Sequence, residues 1–191
     1  YFQTADVDVT DYVPLGSFLA LAGPPVSLLV GTNWDRLYAQ SSDMFSVFGQ
    51  ADVRLDDRWS LTLGARYSSE DKDGSRALTL DGTGSALQGS PLLNVLWAAV
   101  LNVGPHNIAS SRSENSFDPM VRLSYELSDN SQAYVSYTQG SKAGGFDIRG
   151  NSIPGTPLVS SEGGWEFEEE EATNIELGYK MKSDRASFDF T

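Results

Sequence analysis

The chain has 191 residues, with 13 Lys and Arg against 26 Asp and Glu, one His and no Cys, giving a formal net charge of −13. That balance is the reverse of the basic footprint a nucleic-acid binder sets against phosphates, and the lack of thiols excludes a disulfide framework, a thiolate zinc site and a cysteine nucleophile. One His is too few for a His-rich metal centre, and no apolar run is long enough for a membrane-crossing helix, although a membrane β-barrel, whose apolar residues alternate with polar ones, remains compatible.

Tyr1–Thr10 reads as part of a strand. A long connection, Asp11–Ser42, follows, with a turn at Gly23-Pro24-Pro25. From Asp43 to Leu55 the odd positions Phe45, Val47, Ala51, Val53 and Leu55 are apolar, and the even positions are largely polar. That period of two predicts a strand with one apolar face. Asp56-Asp57-Arg58 is a turn, and Trp59, Leu61, Leu63, Ala65 and Tyr67 resume the same odd phase. A second long connection covers Lys72–Ser116. Within it Ser90-Pro91 looks like a helix start, and Leu92, Leu93, Leu96, Trp97 and Val100 recur at helical spacing, predicting a short helix near 91–101.

The odd phase returns in Phe117, Val121, Leu123, Tyr125 and Leu127. After a polar turn at Ser128–Ser131 it continues in Ala133, Val135 and Tyr137. A third long connection, Ala143–Glu169, contains a Gly163-Gly164 turn. Ile175, Leu177, Tyr179 and Met181 are odd again, but after Ser183-Asp184 the apolar set is even: Ala186, Phe188, Phe190. Opposed hairpin residues share a face, so an odd connection keeps parity and an even one reverses it. A two-residue turn at Ser183-Asp184 would pair Met181 with Ala186 and Lys182 with Arg185.

Short turns therefore alternate with long connections. Strands of roughly 11–13 residues exceed the usual ~5–6 of soluble sheets and suit tilted membrane strands. The expected fold is all-β: an antiparallel transmembrane β-barrel segment with short periplasmic turns, long extracellular loops and one loop helix. Two rivals fit the alternation less well. A soluble β-sandwich needs a second sheet on the apolar face, and a small complete barrel acting as porin or adhesin needs closure.

Particular stretches also resemble a known family. Phe45-Ser46-Val47-Phe48-Gly49-Gln50-Ala51-Asp52 and Leu55-Asp56-Asp57-Arg58-Trp59-Ser60-Leu61-Thr62-Leu63-Gly64-Ala65-Arg66-Tyr67 resemble the barrel of TonB-dependent outer-membrane receptors. So do Tyr134-Val135-Ser136-Tyr137 with Gly140–Phe146, and Phe167–Glu170 leading to Glu176-Leu177-Gly178-Tyr179-Lys180. Ser141 stands where the family commonly has an aromatic residue, and Glu169 where it has proline. The resemblance spans about two-thirds of the chain. It implies about six to seven strands of a barrel of about 22. Residues 1–191 are then expected to be an interior part of the barrel domain, without plug or barrel C-terminus. It further implies a Gram-negative outer-membrane location, contact with lipid and lipopolysaccharide, energy-dependent uptake of a scarce nutrient such as a ferric siderophore, and coupling to TonB through the plug. No catalysis, cofactor or nucleic-acid partner is implied.

Glu166 and Glu168–Glu171, with Asp147 and Glu162, invite a divalent-cation reading. Successive residues of an extended chain point to opposite sides, so few of these carboxylates converge, and no metal site is assigned. Glu170 and Glu176 fall on the polar face about 20 Å apart along a strand, too far for paired-carboxylate glycoside chemistry. Gly140–Phe146 lacks the spacing of a phosphate loop and reads as a bend at a strand rim. Trp59, Tyr67, Tyr125, Tyr137 and Tyr179 are expected in interfacial aromatic girdles. His106 reads as a surface-loop residue. Ligand contacts are expected in the mouth of the barrel, with Asn94, Trp97, Trp165 and Glu166 as candidates; loop self-packing of the two tryptophans is the competing reading.

Overall fold

The computed structural model describes residues 1–150, 165–183 and 185–191. The strands are β1 (Phe2–Pro14), β2 (Asn33–Arg54), β3 (Trp59–Asp81), β4 (His106–Ser128), β5 (Ser131–Lys142), β6 (Gly145–Phe146), β7 (Glu166–Phe167), β8 (Glu170–Lys182) and β9 (Ser187–Phe190). One helix, α1, spans Leu92–Leu101. Seven strands form an antiparallel sheet in the order β1-β2-β3-β4-β5-β8-β9, open at β1 and β9; β6 and β7 form a separate pair.

The two faces separate as the alternation predicts. Odd residues of β2–β5 and β8 share one face because the pairings among these strands join odd to odd and even to even, as in Val47 with Tyr67 and Tyr67 with Phe117, apart from Ser128 with Ser131 at a hairpin end and from Ser141, whose hydroxyl reaches the inward Asp118. This face carries a broad exposed apolar band, with Ile175 and Leu177 73% and 75% exposed. No sheet covers the band among the described residues, so the sandwich rival lacks its second layer. One edge of the band is an unbroken lateral row: Trp59 opposes Tyr125, which opposes Ala133, then Tyr179, then Phe190. Trp59 and Tyr125 are in ring contact at 4.6 Å. The other edge is staggered through Phe45, Tyr67, Phe117 and Tyr137. Eight residues separate the edges on β3 and on β4, or ~26 Å along a strand and ~20 Å when tilted by ~40°, close to the hydrocarbon height of a barrel.

Connections obey the parity rule. Asp56 Oδ1 accepts the amides of Arg58 and Trp59 at 2.8 and 2.7 Å, closing the three-residue turn without changing phase. Ser128 opposes Ser131, leaving a two-residue connection that would reverse the faces. A bulge between Glu126 and Ser128 restores the phase by inserting Leu127. The reversal after β8 is present, but the register differs from expectation. Met181 opposes Phe188 and Lys182 opposes Ser187, because the Ser183 amide closes on the Ala186 carbonyl at 2.7 Å and lengthens the connection by an even number of residues. Asp184, Glu162 and the expected turn at Gly163-Gly164 lie outside the described residues.

The larger correction is to the long connections. β2, β3 and β4 run to 22, 23 and 23 residues, so 33–42, 72–81 and 106–116, read from sequence as loop, are strand. β1 likewise reaches Pro14. These extensions rise beyond the apolar band, where Asp35, Ser41, Asp43, Asp71 and Asp73 make the outward face polar as well and sequence alternation loses its contrast. Their ends are capped by an apolar cluster of Leu29, Leu78, Leu87, Trp97 and Val103, with Trp34, Leu93, Leu96 and Val100 packed against it. Helix α1 lies in this cap. Ser90 Oγ accepts the Leu92 amide at 3.2 Å, and Asn102, left-handed at φ 53°, ends the helix.

Candidate functional site

Every Lys and Arg within β2–β5 and β8 stands at an even position, on the face opposite the apolar band. The outward face beyond the band instead carries Asp35, Asp43, Asp71, Asp73 and Asp81, with Asp6 and Asp8 of β1 joining them because β1 pairs in reversed parity (Phe2 opposite Phe45). The inward face thus holds the ion-pairing chemistry. On it Asp118 is bound by Arg66 at 2.9 Å and by the Ser141 hydroxyl at 2.7 Å. Arg36 pairs with Asp11 of β1.

After β5 the chain turns inward rather than continuing the wall. Residues 143–150 form a strap lying on the inward face, braced by the β6–β7 pair. Lys72 Nζ donates to the Gly144 carbonyl, and Glu114 accepts the Gly144 amide, both at 2.7 Å. Arg112 joins Glu114, Glu166 and Glu168 at 2.5, 3.0 and 2.9 Å; the bonds to Glu114 and Glu168 hold its guanidinium still more firmly protonated than usual. The Phe146 ring seats directly on Gly74, where a Cβ would sit 2.3 Å from it. Glycine is therefore a packing requirement at that point of β3. Trp165 stacks on Phe146 at 4.9 Å, meets Tyr38 edge-on at 6.1 Å and donates its indole N–H to Ser110 Oγ at 3.0 Å.

Arg76 is the centre of this contact. Its side chain is 1% exposed and lies 5.2 Å from the Trp165 ring centroid. Its Nη1 donates to the Asp147 carbonyl at 2.6 Å, and its Nε donates to His106 Nε2 at 3.0 Å. His106 is not a loop residue. It opens β4, and its Nδ1 donates to the Gly104 carbonyl at 2.7 Å. Burial, and to a smaller extent Asp147, push the Tyr38 hydroxyl above its usual range.

The four sequence candidates separate into two pairs. Trp97 is fully buried in the cap, edge-on to Trp34 at 5.3 Å, and Trp165 is 6% exposed beneath the strap. Neither ring is open to a ligand in this arrangement; both self-pack. Asn94 is exposed on the outer side of α1, and Glu166 is exposed while bound to Arg112. The cap and the strap are separate clusters, so the structure does not bring all four residues together. Sequence reading missed Arg76, Tyr38, Gly74 and Arg112. The available signal was their even parity, which places them on the strap's face.

A cavity of about 80 Å³ beside the strap, lined by Met44, Arg66, Glu70, Glu114 and Ser141 among others, has room for a few waters but not a nutrient. A groove of about 570 Å³ lies against Asp6, Asp8 and Asp73, whose side chains belong to the outward face. Among the described residues no group of three or more His, Asp or Glu side chains is arranged to hold a metal ion. The arrangement presents charge and hydrogen-bonding groups along a wall.

The family model described as "TonB dependent receptor-like, beta-barrel" matches residues 2–191. No curated protein matches the sequence. Among solved structures, the ferric yersiniabactin uptake receptor FyuA from Yersinia pestis is similar, with a TM-score of 0.57 and 16% identity over 79% of this chain. The chain spans 19% of that receptor's length.

Proposed function

We propose, from the premise that the chain belongs to the TonB-dependent receptor-like β-barrel family, that it is part of the wall of an outer-membrane receptor that captures a scarce small-molecule nutrient and carries it inward. The observation carrying this reading is the outward apolar band bounded by two aromatic rows and backed by a polar, ion-paired inward face. The band faces lipid. The strand extensions, cap and strap rise on the extracellular side toward lipopolysaccharide, and the turns at Asp56–Arg58 and Ser128–Ser131 are periplasmic. Cargo is bound and moved without bond making or breaking, with TonB acting through a plug segment. Residues 1–191 are an interior part of the barrel domain.

The similar receptor FyuA takes up ferric yersiniabactin, and a ferric siderophore is the cargo class proposed here. Asn94 and Glu166 are the candidates a ligand reaches first. Trp97 and Trp165 would meet cargo only if the cap or strap opens. From Lys142 to Glu170 the chain has two basic residues, Lys142 and Arg149, against six acidic ones, Asp147, Glu162, Glu166, Glu168, Glu169 and Glu170, a balance of −4. This favours neutral or cationic cargo over strongly anionic forms, within a screening length of about 8–10 Å. Membrane fractionation of the complete protein tests the location, since recovery in the soluble fraction without detergent rejects it. Growth of a deletion strain on candidate iron sources tests the cargo; unimpaired growth on every ferric siderophore rejects that class.

A further inference from the structure

We infer that His106 and Arg76 form a proton-operated latch on the 143–150 strap: with His106 neutral the strap is held on the wall, and protonation of His106 releases it. The consequence for uptake rests on the receptor reading above, whereas the latch itself is a property of the wall and strap.

Arginine has only donors. Because Arg76 Nε donates to His106 Nε2 at 3.0 Å, that nitrogen must be bare. The ring proton is then on Nδ1, where the Gly104 carbonyl accepts it at 2.7 Å. This bond sets the plane of the guanidinium, whose Nη1 reaches the strap at the Asp147 carbonyl at 2.6 Å. The strap passes so close that a Cβ on Gly150 would lie 2.2 Å from Nη1. Arg76 and the strap are therefore in close contact at this point as well.

A second proton on His106 enters at Nε2. Two N–H groups then face each other across the former bond, and a positive charge joins Arg76. The charged and titratable groups around this point are Arg36 and Tyr38 from β2, Arg76 from β3, Asp11 from β1 and Asp147 from the strap. Both carboxylates are already paired, Asp11 with Arg36 and Asp147 with Arg76 at 3.7 Å. An imidazolium consequently finds no unclaimed counter-ion in this set, and relief comes from displacing Arg76 and, with it, the Asp147 stretch of the strap, against the hold of Arg36 Nη1 on the Arg149 carbonyl at 2.6 Å.

Burial pushes His106 below the ordinary imidazole value. The Gly104 hydrogen bond opposes this, and Arg76 and Arg36 add to the lowering. The sign follows from linkage. A strap-held state with a lowered pKa disfavours the charged form, so its stability is full above about pH 6.5 and is lost as pH falls through the lower value.

The test places a nitroxide on Arg149→Cys, an exposed strap position, in the complete receptor reconstituted in liposomes. Spin mobility is read from about pH 8 to about pH 4.5, a range spanning imidazole titration. The expected result is an immobilised spectrum at high pH and a mobile-to-immobile ratio that rises by up to about tenfold per pH unit below the usual imidazole value, as one proton gives. His106→Gln offers an amide oxygen to Arg76 but does not titrate, so its label should stay immobilised throughout. Arg76→Gln should be more mobile than the wild type at high pH and should not respond to pH, Arg36 still donating to the Arg149 carbonyl. A wild-type spectrum that does not change with pH overturns the latch, and so does a His106→Gln protein with the wild-type pH response. Neither readout depends on cargo or transport, so failure of the latch and failure of the receptor reading are separable.

Discussion

Leu63 is the sharpest probe of which face meets lipid. It lies on β3 four residues from Trp59 and four from Tyr67, midway between the aromatic rows, with Ala51 and Val121 opposite it. It is 43% exposed although its neighbours are apolar, as expected where lipid completes the packing. A lysine there must hold its ammonium ~13 Å from either edge along the strand, beyond the reach of an extended side chain. The cost of a cation at that depth is about 2–4 kcal/mol, or roughly 30- to 900-fold in the folding equilibrium. Gln50 is the matched control. It opposes Gly64, at nearly the same depth but on the inward face, with Asp52 two positions along that face. Gln50→Lys should cost little. Urea unfolding of the complete receptor folded into liposomes measures both. Equal destabilisation by the two lysines would refute the face assignment, and loss from Gln50→Lys alone would invert it.

Gly74→Val should leave the barrel assembled but displace the strap, since a Cβ at that position already meets the Phe146 ring; greater spin mobility at Arg149→Cys reports this, and an unchanged spectrum would show that the ring can seat elsewhere. Trp59→Ala should cost about 0.5–1.5 kcal/mol of aromatic contact beyond the lost area, seen in the same urea titration and absent when Tyr125 has already been removed. In intact cells a cysteine at Asn94 should react with an impermeant maleimide and one at Asp57 should not; the opposite pattern would reverse the proposed sidedness. Asn94→Ala and Glu166→Gln should each weaken cargo binding while preserving surface expression, Glu166→Gln leaving Arg112 held by Glu114 and Glu168; unchanged affinity in both would remove these residues from the ligand path.

What was legible in the sequence depended on contrast. Between Phe45 and Leu55, or Phe117 and Leu127, lipid demands apolar residues on one face and the interior accepts polar ones, so each strand announces its phase. Beyond the band water lies outside as well. Ser41, Asp43, Ser69, Asp71 and Asp73 then match the polarity of Ser42, Glu70 and Lys72, and ten-residue strand extensions look like loop. Helix α1 was readable because its apolar spacing is local. The Leu127 bulge was implicit in the mismatch between an even-numbered turn at Ser128–Ser131 and unchanged parity. The Arg76 contacts were not readable, because His106 and Asp147 lie 30 and 71 residues away and only the long strands bring them together.

The partition of charge explains why the strap is on the inward side. In β2–β5 and β8 the outward face has no cation, so a loop carrying Glu166 and Glu168 would meet only Asp43, Asp71, Asp73 and their neighbours there. Like charges across adjacent strands are destabilising. Inward, the same glutamates find Arg112, the Gly144 carbonyl finds Lys72, and the Asp147 carbonyl finds Arg76. Gly74 provides the depression that lets the Phe146 ring approach closely enough for these bonds to form together. Parity sorts the cations to one face of the wall, and that sorting selects the face on which the acidic loop can lie.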